Sequence, residues 1–186
     1  MKRIFKTLRP AFMSLLIFTV LCGFIYTGIV TGVAQLFFSK EANGSIINIT
    51  LKDGTKMEMG SELIAQEFTK SQYLIGRPSG TSNLSPVSQE QQKLIKERTQ
   101  WWHTFDPNNQ ADIPNDLVMA SGSGVDPNIS PQAAEYQVAR IAKVRGTSED
   151  AVREIIKKYT TGRFLGFWGE PSVNVLKVNL ALDGLL

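Results

Sequence analysis

Residues 12–38 read FMSLLIFTVLCGFIYTGIVTGVAQLFF, an almost unbroken apolar run inside the uncharged stretch 10–39. A helix crosses the roughly 30 Å hydrocarbon core of a bilayer with about 20 apolar residues, and this run supplies 27. Core helices of soluble domains are usually shorter and carry a polar face, which this run lacks. The sequence therefore predicts a single transmembrane helix over residues 11–38.

The charges that flank the apolar run predict its orientation. Four basic residues and no acidic one precede it, at positions 2, 3, 6 and 9, whereas the two lysines that follow it closely are accompanied by Glu41 and Asp53. The positive-inside rule places residues 1–10 in the cytoplasm and residues 39–186 outside the cytoplasm. A cleaved signal peptide is the alternative, but the run is about twice the usual length and continues to Phe38, which favours an uncleaved anchor.

Three glycines suggest that another helix docks on this span. Gly28 and Gly32 form a small-xxx-small pair, and Gly23 lies on a nearby face one turn earlier. Small residues at this spacing let two membrane helices approach closely. Glycine is also common in membrane helices without any docking role, so both interpretations stay open.

Charge and cysteine content limit the function classes for the rest of the chain. From residue 40 onward there are 16 Lys and Arg against 17 Asp and Glu, a net charge of −1. A nucleic-acid-binding domain needs a basic surface, so we expect no nucleic-acid partner. Cys22 is the only cysteine and lies in the span, which excludes an intramolecular disulfide and a CxxC metal site.

The pattern after the span is typical of one mixed α+β domain over residues 39–186. Asp53-Gly54 predicts a hairpin between strands at 46–51 and 56–59, and residues 61–68 read as a short helix. Residues 76–88 read as an irregular loop. Further helices are predicted from Ser88 to Trp101, from Ser130-Pro131 to Gly146, and from Thr147 or Ser148 onward. Residues 173–180 are rich in valine and read as a strand.

Recognisable catalytic chemistry is sparse. His103 is the only histidine, so a His and Cys metal site is not expected, and no Walker A or GxGxxG motif occurs. We predict no catalytic residue and no metal ligand, with the aromatic cluster 101–105 packed on the surface or on a partner. Two alternatives stay open: an anchored hydrolase that uses His103 with Ser121 or Ser123, and an anchored ligand-binding module.

Three turn-rich segments, 76–79, 120–131 and 169–175, carry unusual local chemistry. In the second, small residues with free backbone N–H groups precede a predicted helix, an arrangement that can cradle an anion. The alternative for all three is scaffolding that needs glycine and proline for its backbone path.

Taken in order, several motifs resemble the C subunit of the bacterial Kdp-type potassium-transporting P-type ATPase, and the resemblance covers the whole chain. The motifs are Leu8-Arg9-Pro10, Tyr73 to Ser79, Asp116 to Gly124, Gln137 to Ala142 and Val173 to Asp183. The chain departs from the usual family residues at Met119, Asn128 and Ser172, where threonine, often histidine and often arginine stand in the family.

The resemblance implies an accessory, non-catalytic subunit of an ATP-driven, high-affinity potassium uptake complex in the bacterial inner membrane. Its implied partners are a potassium-channel-like subunit, a P-type ATPase subunit, a small membrane peptide and the lipid bilayer. The family is described as a catalytic chaperone that raises the affinity of the ATPase subunit for ATP. ATP is implied through the complex, with no covalently bound cofactor. Nucleotide contacts are implied at Ser121, Gly122, Ser123, Gly124 and Gln137.

The charge asymmetry conflicts with direct nucleotide contact, because ATP is cytoplasmic and residues 39–186 are predicted to be extracytoplasmic. Such a domain acts on the ATPase only by biasing a conformational equilibrium. We therefore expect it to dock through the glycine face and to cover the potassium entrance, with Asp116 and Asp126 near the pore mouth. Direct nucleotide contact stays the alternative.

Overall fold

The computed structural model describes residues 2–51, 53–80 and 83–186. The chain separates into two compact units, Met1–Ser45 and Ile46–Leu186. Residues 81 and 82 of the predicted loop 76–88 lie outside the described residues.

The first unit is helical. It contains α1 (Lys2–Phe18), a π-helical segment (Thr19–Tyr26), α2 (Thr27–Phe37) and the short α3 (Ser39–Ala42). Among the described residues, one helix, Lys6–Phe37, is long and apolar enough to cross a membrane, and none of its most apolar stretch is buried. This confirms that a single candidate span precedes a mixed domain.

The second unit begins with the predicted hairpin, which is confirmed. Strands β1 (Ile46–Thr50) and β2 (Lys56–Ser61) pair antiparallel, and Gly54 supplies the positive φ of the turn. The predicted helix over residues 61–68 is wrong, because this segment forms turns. Its backbone bonds at long range instead, with the Ala65 N–H donating to the Val125 carbonyl at 2.8 Å. A helix of eight residues is too short to be stable unless tertiary packing supports it.

The second unit has four central helices, three of which begin at a serine that caps them. They are α4 (Gln89–Phe105), α5 (Pro131–Glu135), α6 (Val138–Arg145) and α7 (Glu149–Lys158). The Oγ atoms of Ser88, Ser130 and Ser148 accept hydrogen bonds from first-turn N–H groups. Gly146 ends α6 in the left-handed conformation at φ 65°. These caps are as predicted, but the helix expected from Ser130 to Gly146 is interrupted between α5 and α6.

A second sheet lies near the end of the chain. Its three short strands are β3 (Asn128–Ile129), β4 (Thr160–Thr161) and β5 (Ser172–Asn174), antiparallel in the order β3-β5-β4. The strand predicted over 173–180 is wrong beyond Asn174, because α8 (Val175–Leu182) follows directly. The Asn174 Oδ1 accepts from the Lys177 N–H at 3.0 Å and starts this helix. Packing of the α8 side chains in the core overrides the strand preference of valine.

The core of the second unit collects apolar side chains from helices, strands and one irregular segment. Fully buried members include Leu74, Trp102, Ile129, Val138, Ile141, Val152, Val173 and Val178. Leu74 belongs to no helix or strand, so side chains must satisfy the polar groups of its backbone. The mixed α+β class of this unit is confirmed.

Candidate functional site

The glycine-serine loop, residues 121–124, bonds mainly to itself. The Ser121 Oγ accepts from the Gly124 N–H at 2.9 Å, and the Ser123 Oγ accepts from the Val125 N–H at 3.3 Å. The two hydroxyl oxygens lie 3.3 Å apart. Two of the N–H groups that would cradle an anion therefore already donate to hydroxyls of the loop.

Gln137, the fifth residue implied in nucleotide contact, lies in the core with no exposed surface. Its Oε1 accepts from the Ile75 N–H at 2.8 Å and from Arg140 at 2.7 Å. Its Nε2 donates to the carbonyls of Ile75 at 2.9 Å and Ala133 at 3.1 Å. All four hydrogen bonds that this amide can form are therefore made to groups inside the domain.

Gln137 is part of a larger arrangement that holds residues 71–75, which we call the clamped segment. Asn179 binds both backbone groups of Leu74, accepting from its N–H at 2.7 Å and donating to its carbonyl at 2.9 Å. Arginines supply the remaining donors: Arg140 to the carbonyls of Ser71 and Tyr73, and Arg145 to that of Gln72. Five consecutive carbonyls are thus bound by side chains of α6, α8 and the turn before α6, which lets irregular backbone lie in the core.

The Arg140 guanidinium is buried beside Asp106. Burial lowers its pKa to about 10, while the nearby Asp106 carboxylate opposes that shift. Its Nε lies 3.9 Å from the Asp106 Oδ2, and its Cζ lies 4.9 Å from the Phe105 ring centroid. Burial also raises the pKa of the neighbouring Tyr136 hydroxyl. Arg140, Asp106 and Tyr136 line an open cleft of about 900 Å³. Arg140 stays protonated at neutral pH, so it contributes a fixed positive charge to this cleft and does not exchange a proton there.

A second recess brings two of the unusual segments together. We call it the Arg77 groove, a cavity of about 420 Å³. The residues that line it include Gly76, Arg77, Pro78, Ser79, Arg98, Trp101, Gly124 and Val125. The sequence singled out the segments 76–79 and 120–131, but not Arg98, because contacts between distant segments leave no local signal.

Arg77 joins these segments through two carboxylates. Its Nη2 lies 2.8 Å from the Asp116 Oδ1, and its Nε lies 3.3 Å from the Asp126 Oδ2. Each carboxylate also accepts a backbone N–H, Asp116 from Ser130 at 2.6 Å and Asp126 from Asn128 at 2.9 Å. Asp116 and Asp126 are therefore structural partners of Arg77 rather than free carboxylates.

Replacing Arg77 with methionine is expected to lower the free energy of unfolding by about 1–2 kcal/mol. The change leaves two half-buried carboxylates without their counter-charge, while the methionine retains most of the apolar stem. Urea unfolding of the full chain in mild detergent, followed by tryptophan fluorescence, measures the difference. Lys93→Met is the matched control, since its pair with Glu97 is exposed and is worth little. Equal midpoints for both variants would argue against a structural role of the Arg77 ion pairs.

His103 is an exposed residue of α4. Over residues 2–51, 53–80 and 83–186, no hydrogen bond of its side chain to Ser121 or Ser123 is found, and the two hydroxyls accept loop N–H groups instead. The same residues contain no group of three or more His, Cys, Asp or Glu positioned to hold a metal ion. The described residues thus do not assemble the arrangement that the hydrolase alternative requires.

The glycine face of the span is open. A Cβ added at Gly23, Gly28 or Gly32 would meet no heavy atom within 4 Å. Gly28 and Gly32 lie in α2, whereas Gly23 lies in the π-helical segment, where the Thr27 Oγ1 donates to the Cys22 carbonyl at 2.9 Å. The helix therefore presents small residues that a second helix can approach.

Three known proteins that are similar to this chain carry the same description. The sequence profile of the family described as KdpC, K+-transporting ATPase, c chain, matches residues 8–184. The chain is 53% identical to the "Potassium-transporting ATPase KdpC subunit" of Listeria monocytogenes serotype 4a, over 100% of this chain and 99% of the relative. Proteins with the same name from Clostridium perfringens and Methylococcus capsulatus are 50% and 47% identical, over 97% and 95% of this chain and 98% and 97% of the relatives.

Proposed function

The chain belongs to the KdpC family of potassium-transporting ATPase subunits, and we propose that it is the membrane-anchored accessory subunit that stabilises this assembly. The extent of the family match, residues 8–184, carries the proposal. The match includes the apolar helix as well as the mixed α+β unit, so both units belong to the proposed accessory subunit. The described residues support a structural role, since their buried polar groups hold the domain together.

We infer that the apolar helix is the anchor and that it docks on a membrane-spanning partner subunit. The open face at Gly28 and Gly32 supports this step, because van der Waals packing of close backbones drives helix association in lipid. A channel-like subunit with several membrane helices would offer the matching surface, and a small membrane peptide could complete the contact.

The domain is proposed to lie on the extracytoplasmic side of the bacterial inner membrane. Basic residues precede the span without acidic ones, which retains the amino terminus inside. The domain would then act as a cap over the potassium entrance. The self-bonded loop 121–124 supports this placement, since its hydroxyls already occupy N–H groups that a phosphate would need.

An extracytoplasmic domain influences ATP binding only by stabilising one conformation of the pump. We expect the complex without this subunit to show a higher KM for ATP, with the loss restored by adding the full chain back. Steady-state ATP hydrolysis by the complex in lipid, with and without the subunit, measures this coupling. An unchanged KM would remove the proposed effect on ATP affinity and leave only a role in assembly.

Sidedness is the sharpest test of the placement. In a Cys22→Ala background, Val87→Cys puts one thiol on a side chain that is 81% exposed without removing the cap at Ser88. We expect a membrane-impermeant maleimide to label this cysteine in intact cells. Thr7→Cys, in the predicted cytoplasmic tail 1–10, is the matched control and should react only after lysis.

The reverse labelling pattern would place the domain in the cytoplasm. Direct nucleotide contact through the loop 121–124 would then replace coupling at a distance. Membership of the family would be unaffected, because it does not depend on orientation.

A further inference from the structure

A projecting hairpin connects β4 and β5. We call it the aromatic hairpin and define it as residues 163–170. Phe164 and Trp168 exchange both backbone hydrogen bonds, at 2.7 and 2.9 Å, so the two arms are bridged next to the turn. At its base the Arg163 Nη2 lies 2.8 Å from the Glu170 Oε2. The hairpin is therefore closed by one backbone bridge and one ion pair, beyond the strands β4 and β5.

The tip of this hairpin exposes four large apolar side chains. Phe164, Leu165, Phe167 and Trp168 are each exposed to between 69% and 72%. Three residues after the hairpin, Val173 is fully buried, so the change from tip to core is abrupt. Clustered exposure of this kind marks an interaction surface, whereas single exposed apolar residues need no explanation.

The turn holds an apolar residue in a backbone conformation that such residues rarely adopt. Leu165 has a φ of 53° and Gly166 a φ of 82°, so two consecutive residues are left-handed. Such turns favour asparagine, aspartate or glycine at the first position. A branched apolar residue there is disfavoured by its backbone and exposed to water, which points to a surface that covers it.

We propose that the aromatic hairpin inserts its tip into the interfacial region of the lipid bilayer that anchors this chain. Phenylalanine, leucine and tryptophan suit the boundary between headgroups and acyl chains. Between Arg163 and Glu170 the hairpin carries no charge, and the exposed Lys157 and Lys158 lie just before β4. Apolar residues thus occupy the tip and charges the base, the order of layers in a membrane interface.

The bilayer is favoured over a protein groove by the same chain's anchor. The helix Lys6–Phe37 keeps the domain near a membrane surface, so insertion is intramolecular and even weak interfacial affinity suffices. Basic residues at the base add attraction to anionic headgroups. This step rests on the anchor proposed above, but it does not depend on which side of the membrane the domain occupies.

Depth-dependent quenching of Trp168 tests the insertion. The full chain and its Trp168→Phe variant are placed in nanodiscs of phosphatidylethanolamine and phosphatidylglycerol, and the difference between their emissions reports Trp168 alone. We expect lipids with a nitroxide near the headgroup end of the acyl chain to lower this emission by about half, with little effect from aqueous iodide. Co-migration of the chain with the nanodiscs tests the anchor separately.

A paired variant guards against unfolding as an explanation. Leu165→Asn with Phe167→Ser keeps the turn, since asparagine suits the left-handed position, but removes apolar surface. We expect it to raise iodide quenching of Trp168 at least twofold with an unchanged circular dichroism spectrum. Val87→Ser, at an exposed residue outside the hairpin, should change neither quencher's effect.

Two results would overturn the inference. One is Trp168 emission that responds to iodide and not to the nitroxide lipid while the chain co-migrates with the nanodiscs. The other is protection of Trp168 from both quenchers only when the ATPase subunits are added, which would assign the hairpin to a protein partner.

Discussion

Replacing Gln137 with alanine is expected to lower the free energy of unfolding of the domain by about 3 kcal/mol. The change removes four hydrogen bonds from a side chain with no exposed surface. It leaves the N–H and the carbonyl of Ile75 without partners next to the core. Urea unfolding of the full chain in mild detergent, followed by tryptophan fluorescence, measures the loss.

Gln132→Ala provides the control for this prediction. Gln132 lies five residues earlier on the exposed side of α5, and its removal should change the free energy of unfolding by less than about 0.5 kcal/mol. A Gln137→Ala protein with the parental midpoint but weaker nucleotide binding would contradict the structural role. It would instead support the nucleotide role that the family resemblance implies for this residue.

The second large effect is expected in the membrane. Replacing both Gly28 and Gly32 with leucine should reduce the amount of ATPase subunits that co-purify with this chain by about tenfold, equivalent to about 1.4 kcal/mol of association free energy. Two leucines on the open face of α2 would hold another helix away from the backbone. Affinity purification from membranes with a tag on this chain measures the ratio of subunits directly.

A leucine elsewhere on the same helix separates docking from insertion. Val30→Leu lies between the two glycines in sequence but on the opposite side of the helix, since two residues advance it by about 200°. This variant should insert and co-purify like the parent protein. Equal loss from both changes would show that added bulk, rather than the glycine face, disturbs the assembly.

Local features of the domain were predictable because local chemistry creates them. The hairpin at Asp53-Gly54 and the helix starts at Ser88, Ser130 and Ser148 each depend on a few neighbouring residues. Family membership was predictable as well, because ordered motifs along the chain identify it, and the comparisons with known proteins confirm it.

Elements that depend on distant partners were not predictable. The segment 61–68 has apolar residues that suit a short helix, yet Ala65 bonds to Val125 instead. Residues 175–182 have the composition of a strand, yet Asn174 caps a helix there and Asn179 reaches Leu74. In both segments tertiary contacts outweigh propensity, which is worth only a fraction of a kcal/mol per residue.

The candidate site shows the same division. Loop composition drew attention to residues 121–124 and to Arg77, but not to the groove in which Gly124 and Arg77 meet. The burial of Gln137 and the exposure of Phe167 and Trp168 could not be predicted from the sequence either. A side chain's accessibility is decided by the whole fold, whereas its chemistry is read from the residue alone.

The sequence alone determined the apolar span, its flanking charges, the capped helices and the family, since each of these depends on composition or on neighbours a few residues apart. Only the tertiary structure decided that five carbonyls of the clamped segment are held by side chains, that Arg77 is paired, and that the aromatic hairpin projects. The physical reason is that buried polar groups must find partners wherever the fold brings them. Those partners can lie far apart in the sequence; Leu74 and Asn179 are separated by 105 residues.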